Sequence, residues 1–325
     1  NTCSMNDPFL LVNHLSAIAI FPVTIYDKIR YEAIRKERCT MSGRQVKLEH
    51  AEKGSILYHY TKSNGINGII NHNCFWATKS DFLNDPNEFS HIRGIIEEVC
   101  RETIPKTALR EMFLRDSIYA GREKNREYFV LSFSKCRDSI TMWSEFGNKT
   151  GYNIGFRSNE IIARIEEAAE IAYHGLVVYD TKQQKQLIRR IICTSLPNLL
   201  RMPLEDILEA ANRDPKDSNY QKACRKFQKT AEVYAMFFKH EGFAEEQEYR
   251  FIFKKQKETT VYFRPKDGFM LPYIEIPLST RNLPIEEIMV APQNHIDLAK
   301  NGMEYMLHAK GYDADVSLSN IKLRY

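Results

Sequence analysis

Glu246 and Glu248, in the run EEQEYRFIF, stand two residues apart at the head of an apolar stretch. In a strand, positions two apart share a face, so both carboxylates point the same way. Like charges that close repel, and they need water, a metal or a cation between them. Arg250 follows on the same face and can neutralise one of them. Such a pair suits general acid–base work or the stabilisation of a developing positive charge. The plain alternative is an exposed edge strand with a solvated Arg–Glu pair. The RFIF that follows reads as a central strand, which weakens that alternative.

Three further clusters carry reactive or ring-binding groups. In ILYHYT (Ile56–Thr61), strand alternation puts His59 and Thr61 on one face and Tyr58 and Tyr60 on the other. If the tyrosines face the core, His59 and Thr61 line whatever the strand borders. A histidine there can donate to a ribose hydroxyl or a phosphate, and the simpler reading is an imidazole satisfied by a backbone carbonyl. In SFSKCRDSITMWSEFG, Ser132 and Ser134 leave an apolar strand on one face, and Trp143, one of two tryptophans, follows. Trp143 reads as a core anchor or as a platform for a flat ring. In FLNDPNEF, Asp85 and Glu88 could ligate a metal. They also have the layout of a helix N-cap and capping-box acid around a first-turn proline, which explains both without one. No metal site is expected.

Charge concentrates in one place. Residues 181–229 hold eleven Lys/Arg and five Asp/Glu, although the whole chain carries only +4. Lys222, Arg225, Lys226 and Lys229 recur at helical spacing along one face. Such a stripe can track the phosphates of a nucleic acid, though most charged stripes are simply solvated.

Several chemistries are set aside. There is no G-x-x-x-x-G-K-[ST] loop, no strand-linked G-x-G-x-x-G, no H-E-x-x-H and no G-x-S-x-G. Seven scattered cysteines without a CxxC pair argue against a disulfide framework or a thiolate zinc site and fit a reducing cytoplasm. The apolar run FLLVNHLSAIAIFPVTIY is broken by Asn13, His14 and Pro22, so no membrane segment is expected.

The elements that must position these groups alternate in character. Residues 1–50 read as an N-terminal extension, with a charged helix-like piece at Asp27–Arg38. Residues 51–325 read as a single α+β domain, with a basic helical insert at about 181–240 broken at Pro197, Pro203 and Pro215. Strands are expected at Ile56–Thr61, Cys74–Thr78, Tyr128–Ser134, Gly151–Phe156, Gly175–Asp180, Glu248–Phe253, Thr260–Pro265, Tyr273–Leu278, Ile285–Pro292 and Asp313–Ser319. Helices are expected near Ser63–Ile70, from Asp85 to Glu102, at Leu109–Ile118, Glu160–Ile171 and Ile296–Lys310.

Taken in order, LYHYT, FLNDPNE, VLSFS, MW, GYNIGF, EEQEYR and IEEIMVAP resemble a large bacterial family known only as a domain of unknown function. More distantly, a strand ending in His-aromatic-Thr, then a short helix (NGINGII) and a second strand, is similar to the first motif of ADP-ribosyltransferases. The branch that modifies DNA and RNA is the nearest. That resemblance implies a split β-sheet core with a helical insertion and NAD as substrate. It assigns the ribose to His59 and Thr61, with Tyr60, Ser132 and Ser134 lining the site. Trp143 or Phe146 would stack on nicotinamide, where the superfamily often has tyrosine. Glu248 would be the catalytic carboxylate, and Glu246 would orient or activate the acceptor. The implied activity is ADP-ribosyl transfer to nucleic acid or protein, or NAD hydrolysis, in a bacterial defence or toxin setting. Two rivals remain: a metal-dependent nuclease using Asp85, Glu88, Glu246 and Glu248, and a non-catalytic sensor or binding module in phage defence.

Overall fold

Alternating apolar residues over Tyr128–Ser134 and Glu248–Phe253 demand burial on both faces, and the fold supplies a helical layer on each. The computed structural model describes residues 46–83, 88–119, 127–147, 150–266, 268–279, 281–292 and 295–321, all within the compact unit 45–325. The expectations for residues 1–45 and for Asp85 lie outside the described residues.

The chain begins with β1 (Ile56–Thr61), α1 (Ser63–His72), β2 (Cys74–Lys79), α2 (Glu88–Thr103) and α3 (Thr107–Leu114). It continues through β3 (Tyr128–Ser134), α4 (Ile140–Met142), β4 (Tyr152–Arg157), α5 (Ser158–Ala168) and β5 (Ile171–Leu176). The helical stretch comprises α6 (Thr181–Arg190), α7 (Leu196–Leu200), α8 (Leu204–Arg213) and α9 (Ser218–Ala235). The chain closes with β6 (Glu248–Lys254), β7 (Tyr262–Lys266), β8 (Phe269–Pro277), β9 (Ile285–Val290), α10 (Ile296–Ala309) and β10 (Asp315–Leu318). This is a mixed α+β protein.

The ten described strands form one sheet, ordered β10-β9-β4-β1-β3-β2-β8-β7, with β6 paired to β3 and β5. Only β9 and β10 run parallel. Val130 and Ile252 face α2, α3 and the α6–α9 layer, in a cluster with Ile96, Ile188, Ile207 and Phe227. Phe129, Leu131, Phe133, Tyr249 and Phe251 face the other way, onto Ile66 of α1, Ile161 of α5 and Met303 of α10. Pleat alternation alone assigns these two sets.

β3 is the hinge of the sheet. Its partner β6 pairs along its whole length, from Tyr128↔Lys254 to Ser134↔Glu248. Its other edge is shared. β2 takes Val130 and Phe129, while β1 takes only Ser134, through Tyr58. Between them, Leu131, Ser132 and Phe133 have no strand partner on that edge among the described residues. β1 instead pairs fully with β4, from Ile56↔Arg157 to Thr61↔Tyr152. A notch therefore opens where β1 and β2 leave the same edge of β3.

Two local expectations are corrected. The strand expected at Gly175–Asp180 lies earlier, at Ile171–Leu176, because α5 ends at Ala168 and the ladder to β6 begins at Ile171 with a register shift. Pro197 does not break its helix. Residues 191–195 widen to i→i+5 turns just ahead of Pro197, so α6 runs on into α7 and the wider turn accommodates the residue that lacks an N–H. Among the described residues, no helix is long and apolar enough to cross a membrane.

Candidate functional site

The tyrosine face of β1 is core. Tyr58 and Tyr60 are buried with Trp143 and Met142, and Tyr60 lies edge-on to Trp143 at 4.7 Å between ring centroids. Tyr60 donates its hydroxyl to the Cys136 carbonyl at 2.9 Å, and Trp143 donates Nε1–H to Asp138 at 2.7 Å. Trp143 has no exposed surface, so it presents no face on which nicotinamide could stack. Its burial and its bond to Asp138 make it a core anchor, and Tyr60 is part of the same packing.

His59 and Thr61 are half-buried on the opposite face. His59 sits edge-on to Phe75, at 5.3 Å, and against Phe133, at 5.4 Å. Its Nδ1–H donates to the Ser132 carbonyl at 3.1 Å. That carbonyl stands in the unpaired stretch of β3, so the imidazole completes a backbone bond that neither β1 nor β2 supplies. Burial pushes His59 down to about 4, against the pull of the Ser132 bond and with help from the Arg264 charge. His59 is therefore neutral at pH 7, and with Nδ1 protonated its Nε2 is an acceptor. Thr61 abuts the first turn of α1, where a Cβ added to Gly65 would meet its hydroxyl at 2.0 Å.

Glu246 and Glu248 do share a site, and it is closed, but not as neighbours on one strand face: Glu246 ends the turn Glu241–Glu246, Gln247 is left-handed, and β6 begins at Glu248. Both are buried, together with Lys239 and Arg250. Arg250 donates Nη2–H and Nε–H to Glu248 Oε2 at 2.7 and 3.0 Å and Nη1–H to the Met236 carbonyl at 2.7 Å. Lys239 pairs with Glu246 Oε2 and stands 3.7 Å from Glu248 Oε2. The repulsion expected from the two carboxylates is thus answered by two cations, and the group is neutral overall. Arg250 was legible from its spacing; Lys239, outside the strand pattern, was not. Burial alone would raise Glu248, but Arg250 and Lys239 outweigh it and hold the carboxyl below its usual range. Glu246 goes the other way, raised by burial and by Glu248 beyond what Lys239 offsets.

Ser132 joins the two halves. Its carbonyl accepts from His59 Nδ1–H, and its side chain lies on the Glu248 face of the sheet, where it helps to hold that carboxyl below its usual range after Arg250 and Lys239. Strand register places His59 with Phe133 on one face and Glu248 with Ser134 and Ser132 on the other. One residue of β3 separates them, at the notch. Ser134 is fully buried and donates to the Glu246 carbonyl at 2.6 Å while accepting from Cys136 N–H, a role in loop geometry.

The remaining residues are scattered. Lys222, Arg225 and Lys229 are exposed on α9 and Lys226 is half-buried, opposite the face that buries Ala223, Phe227 and Ala231. None of the four forms an ion pair among the described residues. Burial, then the neighbouring Lys229, lowers Lys226. Among the described residues, no group of three or more His, Cys, Asp or Glu stands close enough to hold a metal ion.

Residues 142–251 match the family described as a protein of unknown function (DUF2971). The match supports the resemblance to a domain of unknown function over the stretch that runs from Met142 to Phe251, Glu246, Glu248 and Arg250 included. It does not reach β1 or His59. No curated protein and no solved structure matches the chain.

Proposed function

We propose that the notch binds NAD and that the protein cleaves its nicotinamide–ribose bond, passing the ADP-ribosyl group to water or to an acceptor. The observation that carries this reading is Ser132 at the notch, whose carbonyl accepts from a neutral histidine while its side chain shares a sheet face with a buried, ionised carboxylate. The divergence of β1 and β2 from β3 is in keeping with the split sheet of ADP-ribosyltransferases.

In this reading His59 Nε2 accepts a hydrogen bond from a ribose hydroxyl and fixes the sugar. The C–N bond breaks with its electron pair leaving on nicotinamide, and positive charge grows on the ribose. Glu248, held ionised by Arg250 and Lys239, stabilises that charge through the polarised Ser132 hydroxyl in a low-dielectric surround. An oxygen or nitrogen nucleophile then bonds to the anomeric carbon and releases its proton to solvent water. Glu246 is engaged with Lys239 and buried, so its part is to set the charge balance around Glu248.

Nicotinamide release from NAD, followed by chromatography in the presence of EDTA, tests the reading. Release that falls at least about tenfold in Ser132→Ala, with the fold intact, is the expected result, since a polarising donor of this kind is worth a few kcal/mol. No release under any acceptor condition would remove NAD as substrate. Nucleic-acid cleavage abolished by EDTA would favour the nuclease reading instead.

A further inference from the structure

The face of the sheet that carries Thr78, Val130 and Tyr273 is covered by helices over β3 and β6. Over β2, β8 and β7 no helix of that layer joins the cluster among the described residues, and Leu271 and Tyr273 are buried under neighbouring side chains. On this part, Trp76 (43% exposed) and Tyr262 (41%) flank Tyr273, with ring centroids 4.4 and 5.6 Å from it and planes inclined by about 30°. Two strand steps along, Phe269 (45%) stacks with Phe82 (37%). Large rings left this exposed in one patch mark an interaction surface.

Arg264 lies between the two ring groups. Register places it opposite Leu271, one step from Tyr262↔Tyr273 and one from Lys266↔Phe269. Its guanidinium sits 5.4 Å from the Trp76 ring centre and 5.9 Å from that of Tyr273, and one N–H reaches Thr78 Oγ1 at 3.4 Å. It has no carboxylate partner among the described residues, although it is half-buried and burial lowers its pKa. A partly desolvated guanidinium with donors to spare calls for an anion. Among the described residues, Lys266 and, opposite Trp76, Glu275 share this face with Arg264.

The order along the face is rings, cation, rings, with about 14 Å between Tyr273 and Phe269, four residues at about 3.4 Å each. That order matches base, phosphate, base. We propose that this platform binds single-stranded nucleic acid, bases on Trp76 and Phe269 and the intervening phosphate on Arg264. An open sheet face favours a strand that runs across it over a small nucleotide, which needs a concave site. In a duplex the base faces are stacked on one another and hidden from the rings, so duplex is excluded. The inference is independent of NAD turnover and uses none of the residues assigned to it.

The chain offers its own probe. Of its two tryptophans, Trp143 is fully buried, so a change in emission on binding reports Trp76. Titration with oligothymidylate and oligouridylate 12-mers, without NAD, should quench that emission, less so as salt is raised. Anisotropy of labelled oligomers should show binding weakened about tenfold in Trp76→Ala and in Arg264→Gln, each with an unchanged melting temperature. No quenching up to about 100 µM oligomer overturns the proposal. So does binding that both variants leave intact, which would put the strand elsewhere, such as on α9. Equal quenching by duplex or by NAD alone would overturn the choice of ligand.

Discussion

Glu248→Gln removes one negative charge from a buried group of four whose charges cancel. Lys239 and Arg250, each nearly inaccessible to water, then share one carboxylate fewer within the group. Breaking a buried pair costs about 3–5 kcal/mol, because the surviving charge stays desolvated. Glutamine keeps one acceptor oxygen for the Arg250 bonds at 2.7 and 3.0 Å, which puts the loss near the lower end, about 3 kcal/mol. For a unit of this size that is roughly 6–12 °C in melting temperature. Thermal melting and urea denaturation at pH 7 are the assays. The double variant Glu248→Leu with Arg250→Met restores neutrality and should recover most of the loss, since apolar replacement of a whole pair is often neutral. A single variant that melts within about 2 °C of the parent, or a double variant no better than the single, would refute the charge-balance argument.

Histidine burial sets the acid limb of stability. His59 and His174 are each lowered to about 4, so each contributes stability that is fully present above their ordinary 6.5 and is lost as pH falls from 6.5 towards 4. Glu248, depressed, adds a further loss below its ordinary 4.5. Unfolding free energy should therefore be level near pH 7–8 and fall below about 6.5, with His59→Gln removing close to one proton from the slope; an unchanged slope would show that His59 is not desolvated. At Gly151 an added Cβ would meet Thr61 O at 2.4 Å and Gly147 Cα at 2.7 Å, all backbone, so Gly151→Ala should destabilise by about 3 kcal/mol and disturb the end of β1. Gly68→Ala, with open space around it in α1, should stabilise by about 0.5–1 kcal/mol, and urea midpoints of the two variants check both signs. Lys222→Ala, Arg225→Ala and Lys229→Ala together should leave the melting temperature within about 2 °C, because the three side chains are exposed and unpaired among the described residues.

Much of the fold was readable because its strands alternate cleanly. Tyr128–Ser134 and Ile56–Thr61 come out at the expected bounds, and Glu248–Lys254 is one residue longer than expected. The displaced β5 shows the limit. Val177 and Val178 have strand propensity, but pairing partners decide, and Val178 makes only an isolated bridge to Phe238. At the site, the sequence identified Glu246, Glu248, Arg250 and His59 by type and spacing. It could not place Lys239, which lies outside any strand pattern and reaches the carboxylates only through tertiary packing. Nor could it tell that the Trp143 ring has no free face while Trp76 stands in the open. A tryptophan in an alternating strand points to one of two sides, and only the helical layer's extent determines which side is bare.

The most direct test of the NAD proposal is calorimetric titration of NAD into the protein with EDTA present, repeated with His59→Ala. The expected result is measurable binding that weakens about fivefold when the His59 acceptor is removed, the worth of one neutral hydrogen bond. No heat at millimolar NAD, or the same affinity in His59→Ala, would contradict it.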